Sequence, residues 1–185
     1  MAATQQHRTL AVSSSLGDDA LLFRHMELHE QLSQPFEYHL ELFSENNEIK
    51  FADLLGKPMA IRLELPEERQ RYFHGWVSQF RQVKNRGRYA VYRATLRPWV
   101  WFLSRTTDCR IYQNQNTLDI IKSIFKEHGF SDFEIKLSGQ YTPRDYCVQY
   151  RETTLNFVSR LLEEEGIYYY FKHEKDKHLL VLADS

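Results

Sequence analysis

The sequence predicts an α+β fold that is mainly β, in which an antiparallel sheet is followed by a strand-helix-strand region with two amphipathic helices. Up to residue 106, apolar and polar residues alternate in short runs such as PMAIRLEL and RYAVYRATL, as half-buried strands do. Beyond residue 107, apolar residues recur at helical spacing in two segments, about 117–128 and 154–165. We therefore predict two domains, residues 1–106 and 107–185.

The first domain is predicted from its strands and from the turns that join them. The runs LLFRHMELH and PFEYHLELF indicate strands, and FADLLG indicates one helical turn closed by Gly56. A hairpin is expected at Lys84-Asn85-Arg86-Gly87, where Asn85 and Gly87 tolerate positive φ angles. Gly75 within a strand predicts a bulge or a close backbone approach, and Pro98 is expected to end the strand pairing.

The two predicted helices share one plan. Asn116 or Thr117 can cap the first helix, and Gly129 ends it. A shift of 37 positions aligns this helix with the second, whose final glycine is Gly166. We interpret the match as two successive strand-turn-helix-glycine units, although any capped amphipathic helix gives a similar match. The residues that form the apolar face of the first helix are Leu118, Ile120, Ile121, Ile124 and Phe125.

The last part of the sequence predicts an apolar hairpin. Residues 167–171, IYYYF, are apolar or aromatic on both faces of a strand, so we expect both faces to be covered, by the barrel or by a neighbouring chain. Residues 179–182, LLVL, are expected to return as the partner strand. Because no further strand follows to cover this hairpin, we expect the protein to continue beyond residue 185.

Composition narrows the functional classes. Lys and Arg number 24 against 25 Asp and Glu, and no basic stretch is present that would neutralise a phosphate backbone, so nucleic acid is not an expected partner. The N-terminus has no cationic start before an apolar core, and no apolar run reaches membrane-spanning length. The two cysteines, Cys109 and Cys147, are expected to be reduced and mostly buried, as in a cytoplasmic protein.

Signatures of catalysis and of metal or cofactor binding are missing. Neither a glycine-rich phosphate loop nor a G-x-S-x-G element occurs. His25 and His29 lie on a predicted strand, where four residues span roughly 13 Å and cannot share a metal. His173 and His178 flank a hairpin turn that can bring them close together, but no carboxylate or cysteine completes a site there at a familiar spacing. We expect these histidines to be solvated, and we expect no catalytic residue, metal or cofactor.

Two groups of residues are candidates for contacts with another subunit or a partner. Glu163, Glu164 and Glu165 occupy the last turn of the second helix, where the helix dipole disfavours anions. A solvated face, with Arg160 partly compensating Glu164, is the simpler explanation; a contact with a basic patch on another subunit is the functional one. Tyr168 and Tyr170 follow on the aromatic strand.

A resemblance to a known family rests on three long segments. They are FHGWVSQF (73–80), GRYAVYRATLRPWVWFLSRTTDCRIYQNQNTLDIIKSIFKEHGF (87–130) and YCVQYRETTLNFVSRLLEEEGIYYYF (146–171). Together they resemble the VgrG, or Rhs-element Vgr, spike proteins of type VI secretion, which are similar to phage tail hubs. The likeness runs from about residue 22 to residue 185. It implies an antiparallel β-barrel of the phage tail hub type with inserted helices, here in residues 1–106, followed by the α+β region.

The resemblance also implies a function. Members of the family form a homotrimeric hub that docks on the ring of the Hcp tube and carries effector or adaptor proteins. Such a protein is cytoplasmic before firing and is then secreted through the apparatus without a signal peptide. We expect no stable membrane insertion by this segment.

Two alternatives remain open at this point. One is a baseplate hub of a contractile phage tail, which shares the fold and differs in its genomic neighbours. The other is a hydrolytic enzyme that uses His74 or His128 with nearby carboxylates.

Overall fold

The computed structural model describes residues 3–185, and these divide into two compact units. The first unit comprises Met1–Glu30, Phe36–Pro98 and His173–His178, and the second comprises Gln31–Pro35, Trp99–Lys172 and Leu179–Ser185. The domain boundary at residue 106 stays a prediction, because compactness does not test which segments fold independently. The mainly β, α+β class is confirmed.

The first unit contains one antiparallel sheet of six strands. The strand order is β1-β4-β5-β6-β3-β2, and the sheet curls so that its edge strands, β1 and β2, approach each other. The bounds are β1 Leu10–Ser14, β2 Leu22–His29, β3 Glu37–Ser44, β4 Pro58–Glu64, β5 Gln70–Arg86 and β6 Tyr89–Arg97. The predicted helical turn is a 3-10 segment, Phe51–Asp53, after which Gly56 has a φ of 69°.

The side-chain amide of Gln5 joins the two sheet edges where no strand pairing does. Its Oε1 accepts hydrogen bonds from the backbone N–H of Val12 in β1 (3.0 Å) and of Phe23 in β2 (2.8 Å). Its Nε2 donates to the carbonyls of Val12 (3.2 Å) and Leu21 (2.9 Å). Gln5 is itself buried, so its side chain supplies the hydrogen bonds between these two edges that paired strands would otherwise make. No sequence pattern predicted this link or β1.

Alternating residues of the strands build the core of the first unit. Burial of each large apolar side chain contributes about 1.5–3 kcal/mol. The largest fully buried side chains of this unit are Leu21, Phe36, Tyr38, Leu40, Leu42, Leu54, Met59, Ile61, Tyr92 and Leu96.

The predictions for the glycine and proline positions of the sheet are confirmed, and the prediction for Asn85 is not. A Cβ on Gly75 would lie 2.9 Å from Leu96 Cβ, so the close approach predicted there is confirmed. Pro98 follows the last residue of β6 and is succeeded by a 3-10 segment, Trp99–Arg105. The hairpin turn uses Gly87, with φ of 60°, whereas Asn85 lies in β5 opposite Ala90. The prediction of a positive φ at Asn85 was therefore wrong.

The second unit combines a β-ribbon, two helices and a small sheet. The ribbon pairs β7 Thr107–Tyr112 with β9 Cys147–Thr153, and the sheet has the order β10-β11-β8. The remaining bounds are β8 Phe133–Lys136, β10 Tyr168–His173, β11 His178–Ala183, α1 Thr117–Glu127 and α2 Thr154–Glu164. Cys147 is buried as expected, but Cys109 is exposed, because it lies on the outward side of the ribbon.

The predicted repeat of strand, helix and glycine is present. Asn116 caps α1 by accepting from the backbone N–H of Asp119, and Thr153 caps α2 by accepting from that of Asn156. Each helix ends one residue earlier than predicted, and Gly129 and Gly166 follow with φ of 76° and 69°. The expected apolar face of α1 is buried, apart from Leu118, which is half-buried.

The expectation that the final hairpin lacks a further partner strand was wrong. Strand β11 lies between β10 and β8, and it pairs with β8 in parallel, with Leu180 opposite Phe133. Parallel pairing joins segments that are distant in the sequence, so a local pattern could not reveal it.

Candidate functional site

The predicted contact residues lie at the end of α2 and in β10, the strand that follows it. Glu164 accepts hydrogen bonds from Arg144 (2.5 Å) and Arg160 (3.1 Å). Glu165 accepts from Arg144 (2.6 Å) and from the Thr117 hydroxyl (2.8 Å). Two of the three carboxylates are therefore already paired within the chain, which explains how the helix end tolerates them. Glu163 is exposed and has no ion pair with any residue from 3 to 185.

The arginines set the electrostatics of this helix end. Hydrogen bonds from Arg144 hold the pKa of both Glu164 and Glu165 below the ordinary value of 4.5. Arg144 comes from the loop between β8 and β9, and its backbone N–H also donates to Gln115 O (3.0 Å). This loop therefore connects the start of α1 with the end of α2.

Tyr168 and Tyr170 lie on one face of β10 and are half-buried, while Tyr169 lies on the opposite face and is buried. The Tyr168 hydroxyl donates to Ser185 O (3.0 Å). On the face opposite Tyr169 the strand is thus only partly covered, less than the sequence led us to expect. Lys172 forms an ion pair with Glu134 of β8 (2.7 Å). The outward face of this sheet combines aromatic rings with paired charges.

His173 and His178 lie close together in the first unit and form a cluster with a third histidine, His74, which was not predicted to join them. His74 of β5 and His178 are 3% and 1% exposed, and their Nδ1 atoms are 2.9 Å apart. His173 Nε2 lies 3.0 Å from the hydroxyl of Tyr38, which donates to Glu30. The expectation that His173 and His178 are solvated was therefore wrong, whereas His25 and His29 are exposed as expected.

The hydrogen bonds favour neutral rings in this cluster. Because Tyr38 donates to Glu30, its oxygen accepts from His173 Nε2, and His173 Nδ1 accepts from the His74 backbone N–H (3.1 Å). Only one of the facing Nδ1 atoms of His74 and His178 can carry a proton in their shared hydrogen bond. Burial lowers the pKa of His173 and lowers that of His178 to about 2.

This cluster suits a structural role better than a catalytic one. The hydrolase alternative named His74 or His128, and the ring of His74 is closed off from any substrate by its burial. Within residues 3–185, no group of three or more His, Cys, Asp or Glu side chains is arranged to hold a metal ion. A local signal for the burial of His178 did exist, since it lies in phase with the buried residues Leu180 and Leu182.

The comparison with known families agrees with the geometry. The sequence profile of the phage tail baseplate hub (GPD) family matches residues 29–185, and the chain belongs to this family. Within residues 3–185, none of the helices has the length and apolar character needed to cross a membrane.

Within this family the chain is similar to spike proteins of type VI secretion. It is 52% identical to the Pseudomonas aeruginosa spike protein VgrG1b over 185 residues, which are 100% of this chain and 25% of that protein. It is 52% identical to VgrG1a of the same organism over 181 residues, 98% of this chain and 28% of that protein. The chain thus spans about a quarter of the length of these relatives.

A solved structure supports the same assignment. It is that of the E. coli c3393 protein, described as a type VI secretion component that is structurally similar to the T4 bacteriophage tail proteins gp27 and gp5. The TM-score is 0.79 at 28% identity, over 97% of this chain and 48% of that one. The relatives are spike and tail hub proteins, and the predicted fold of the phage tail hub type is confirmed.

Proposed function

We propose that this chain is the hub region of a type VI secretion spike, in which identical chains form a trimer that docks on a ring of the Hcp tube. The observation that carries the proposal is the 52% identity, over the whole chain, to spike proteins of this system. The strands of the first unit and the ribbon, sheet and helices of the second unit each offer surface for joining copies, which supports the proposal.

The proposal extends to delivery. The protein resides in the cytoplasm before the apparatus fires, then leaves through it with effector or adaptor proteins attached, and it has no enzymatic role. Its near-neutral net charge of −1 lets identical copies meet without strong mutual repulsion.

The test combines a mass measurement with a binding measurement. Light scattering of the purified chain over a range of concentrations should show a trimer, and sedimentation with purified Hcp rings should show a complex. A chain that stays monomeric at high concentration and does not sediment with the rings contradicts the proposal.

The proposal keeps only some of the residues that were predicted to contact another subunit or a partner. Glu163, with Tyr168 and Tyr170, is the part of the predicted set that remains available to a partner, because Glu164 and Glu165 are engaged by Arg144. Glu163→Lys should weaken assembly without lowering the melting temperature of the monomer. Lys126→Glu, the charge reversal at the equivalent position of α1, is the matched control and should leave assembly unchanged.

A phage tail baseplate hub is the second candidate, favoured by the description of the matching family. The two functions differ in the tube protein that the hub accepts. Binding to a phage tail tube protein, with none to Hcp rings, would select the phage function.

A further inference from the structure

The outward side of the ribbon formed by β7 and β9 exposes large apolar side chains. Ile111 of β7 is 60% exposed and Tyr150 of β9 is 64% exposed. The register places Cys109 opposite Tyr150 and Ile111 opposite Val148, so these four side chains share one side. A free thiol, two aliphatic groups and an aromatic ring thus lie next to one another on the surface.

Arg151 adds a positive charge to this side through a local distortion. The register of the ribbon shifts between Asp108 and Cys109, so Arg151 is the extra residue of a β-bulge. Its φ of 50° is unfavourable for a residue with a long side chain. Its guanidinium lies 5.2 Å from the centre of the Tyr150 ring.

The bulge determines which of two charged side chains, Arg151 or Glu152, points outward. Strict alternation would turn Arg151 to the side of Gln149, which is buried. Because of the extra residue, Arg151 is exposed, and Glu152 instead binds Arg160 of α2 (2.8 Å). Backbone strain that is retained in this way often marks a functional surface. We call Cys109, Ile111, Val148, Tyr150 and Arg151 the ribbon face.

We propose that the ribbon face is the surface through which one chain binds a second copy of itself, at the Glu163 end of α2. This rests on the proposed assembly of identical chains. A ring of identical chains joins two different patches at each interface, so the two patches must be complementary. Tyrosine and arginine are enriched among the residues that dominate binding energy in protein interfaces.

The charges of the two patches match. Arg151 forms no ion pair with residues 3–185, and neither does Glu163. The ribbon face offers a cation beside an apolar surface, while the end of α2 offers an anion followed by the half-buried rings of Tyr168 and Tyr170. A pair of opposite charges brought together at the edge of an apolar contact fixes the register of the two copies.

A reciprocal charge exchange tests the pairing of the two patches. Arg151→Glu and Glu163→Arg should each weaken assembly by about tenfold or more, and the doubly exchanged chain should recover most of this loss. Light scattering or native mass spectrometry of the full chain measures the assembly. Two single losses that simply add in the double variant would overturn the pairing.

The apolar part of the ribbon face has a matched control. Ile111→Asp should weaken assembly by about tenfold or more, whereas Leu32→Asp should not, although Leu32 is 64% exposed and belongs to the same unit. Arg151→Gly separates interface from fold, because glycine tolerates the positive φ. It should weaken assembly while the melting temperature of the monomer rises or stays the same.

The outcomes separate this inference from the proposed function. If the parent chain assembles and the ribbon variants assemble equally well, the ribbon face is not the interface, and the proposed function stands. If the parent chain is monomeric at every concentration, the inference fails, and the proposed function fails with it when the chain also does not sediment with Hcp rings. If the ribbon variants lose Hcp binding but keep their mass, the ribbon face binds a different protein and the inference is overturned.

Discussion

The two units of this protein use different polar side chains to join segments that are distant in the sequence. The first unit buries neutral polar groups: Gln5 is 4% exposed between the sheet edges, and the imidazoles of His74 and His178 face each other in the interior. The second unit keeps its charges near the surface, where Arg144 and Arg160 neutralise the carboxylates at the end of α2.

This difference teaches where each unit is vulnerable. A buried polar group contributes through the cost of leaving its partners unsatisfied, which is about 1–3 kcal/mol for each group. A half-exposed ion pair contributes about 0–1 kcal/mol, and salt screens it. We therefore expect single changes of these joining residues to damage the first unit more than the second.

The largest effect is expected for Gln5→Ala. The change leaves the N–H and C=O of Val12, the C=O of Leu21 and the N–H of Phe23 without this partner, and the free energy of unfolding should fall by about 3–4 kcal/mol. Denaturant unfolding measures it. Gln6→Ala, at the exposed neighbouring position, is the control and should change stability by less than about 0.5 kcal/mol. Equal effects of the two changes would contradict the role assigned to Gln5.

The second largest effect is expected in the dependence of stability on pH. The pKa of His178 in the folded chain lies far below its ordinary 6.5, so the unfolded chain binds more protons below pH 6.5. Stability should thus be lost as the pH falls below 6.5, by about 2 kcal/mol between pH 7 and pH 5 for this residue. His178→Phe should flatten the dependence measured by denaturation at each pH. His25→Gln, at an exposed position, should leave it intact; the same slope in all three chains would refute the cause.

Glycine replacements compare backbone strain with close packing. A Cβ at Gly129 or Gly166 meets nothing within 4 Å, so alanine there should cost only the strain of a positive φ, about 1 kcal/mol at either site. Gly75→Ala should cost more in the first unit, because its Cβ would press on Leu96. Melting temperatures measure the order. A smaller cost at Gly75 than at the helix ends would show that β5 and β6 can separate easily.

The smallest effect is expected for Arg144→Gln, below about 1 kcal/mol at pH 7, since its side chain and its partners are partly exposed. The pKa values of Glu164 and Glu165 are lowered, so the stabilisation is present above their ordinary 4.5 and is lost as the pH falls below it. Parent and variant should therefore differ at pH 7 and converge near pH 3. Arg69→Gln, at an exposed position, should match the parent throughout. A difference that persists at pH 3 would point to another role for Arg144.

Local chemistry was enough to predict both helices. Asn116 and Gly129 bound α1, and the same spacing bounds α2, because caps and left-handed glycines act within one turn of the backbone. The hairpin at Gly87 was found for the same reason. Asn85 was misassigned because two residues suited to turns lie close together, and only one turn is needed.

Partners that are distant in sequence could not be predicted. His74 lies 99 positions before His173, and β8 pairs with β11, which comes after both helices in the sequence. For the contact residues, the sequence identified the charged helix end but not Arg144, which reaches it from a loop 20 positions away. The bulge at Arg151 carries no composition signal, since glycine is the residue expected there.

The parallel pairing of β8 with β11 has a consequence for biosynthesis. Strand β8 (residues 133–136) cannot pair until residues 180–183 have been synthesised. The histidine cluster likewise cannot form until residues 173–178 have been synthesised. On the ribosome, therefore, neither unit can complete its interior until the last part of this segment has left the exit tunnel. Until then, the apolar residues of β8 lack their partner strand.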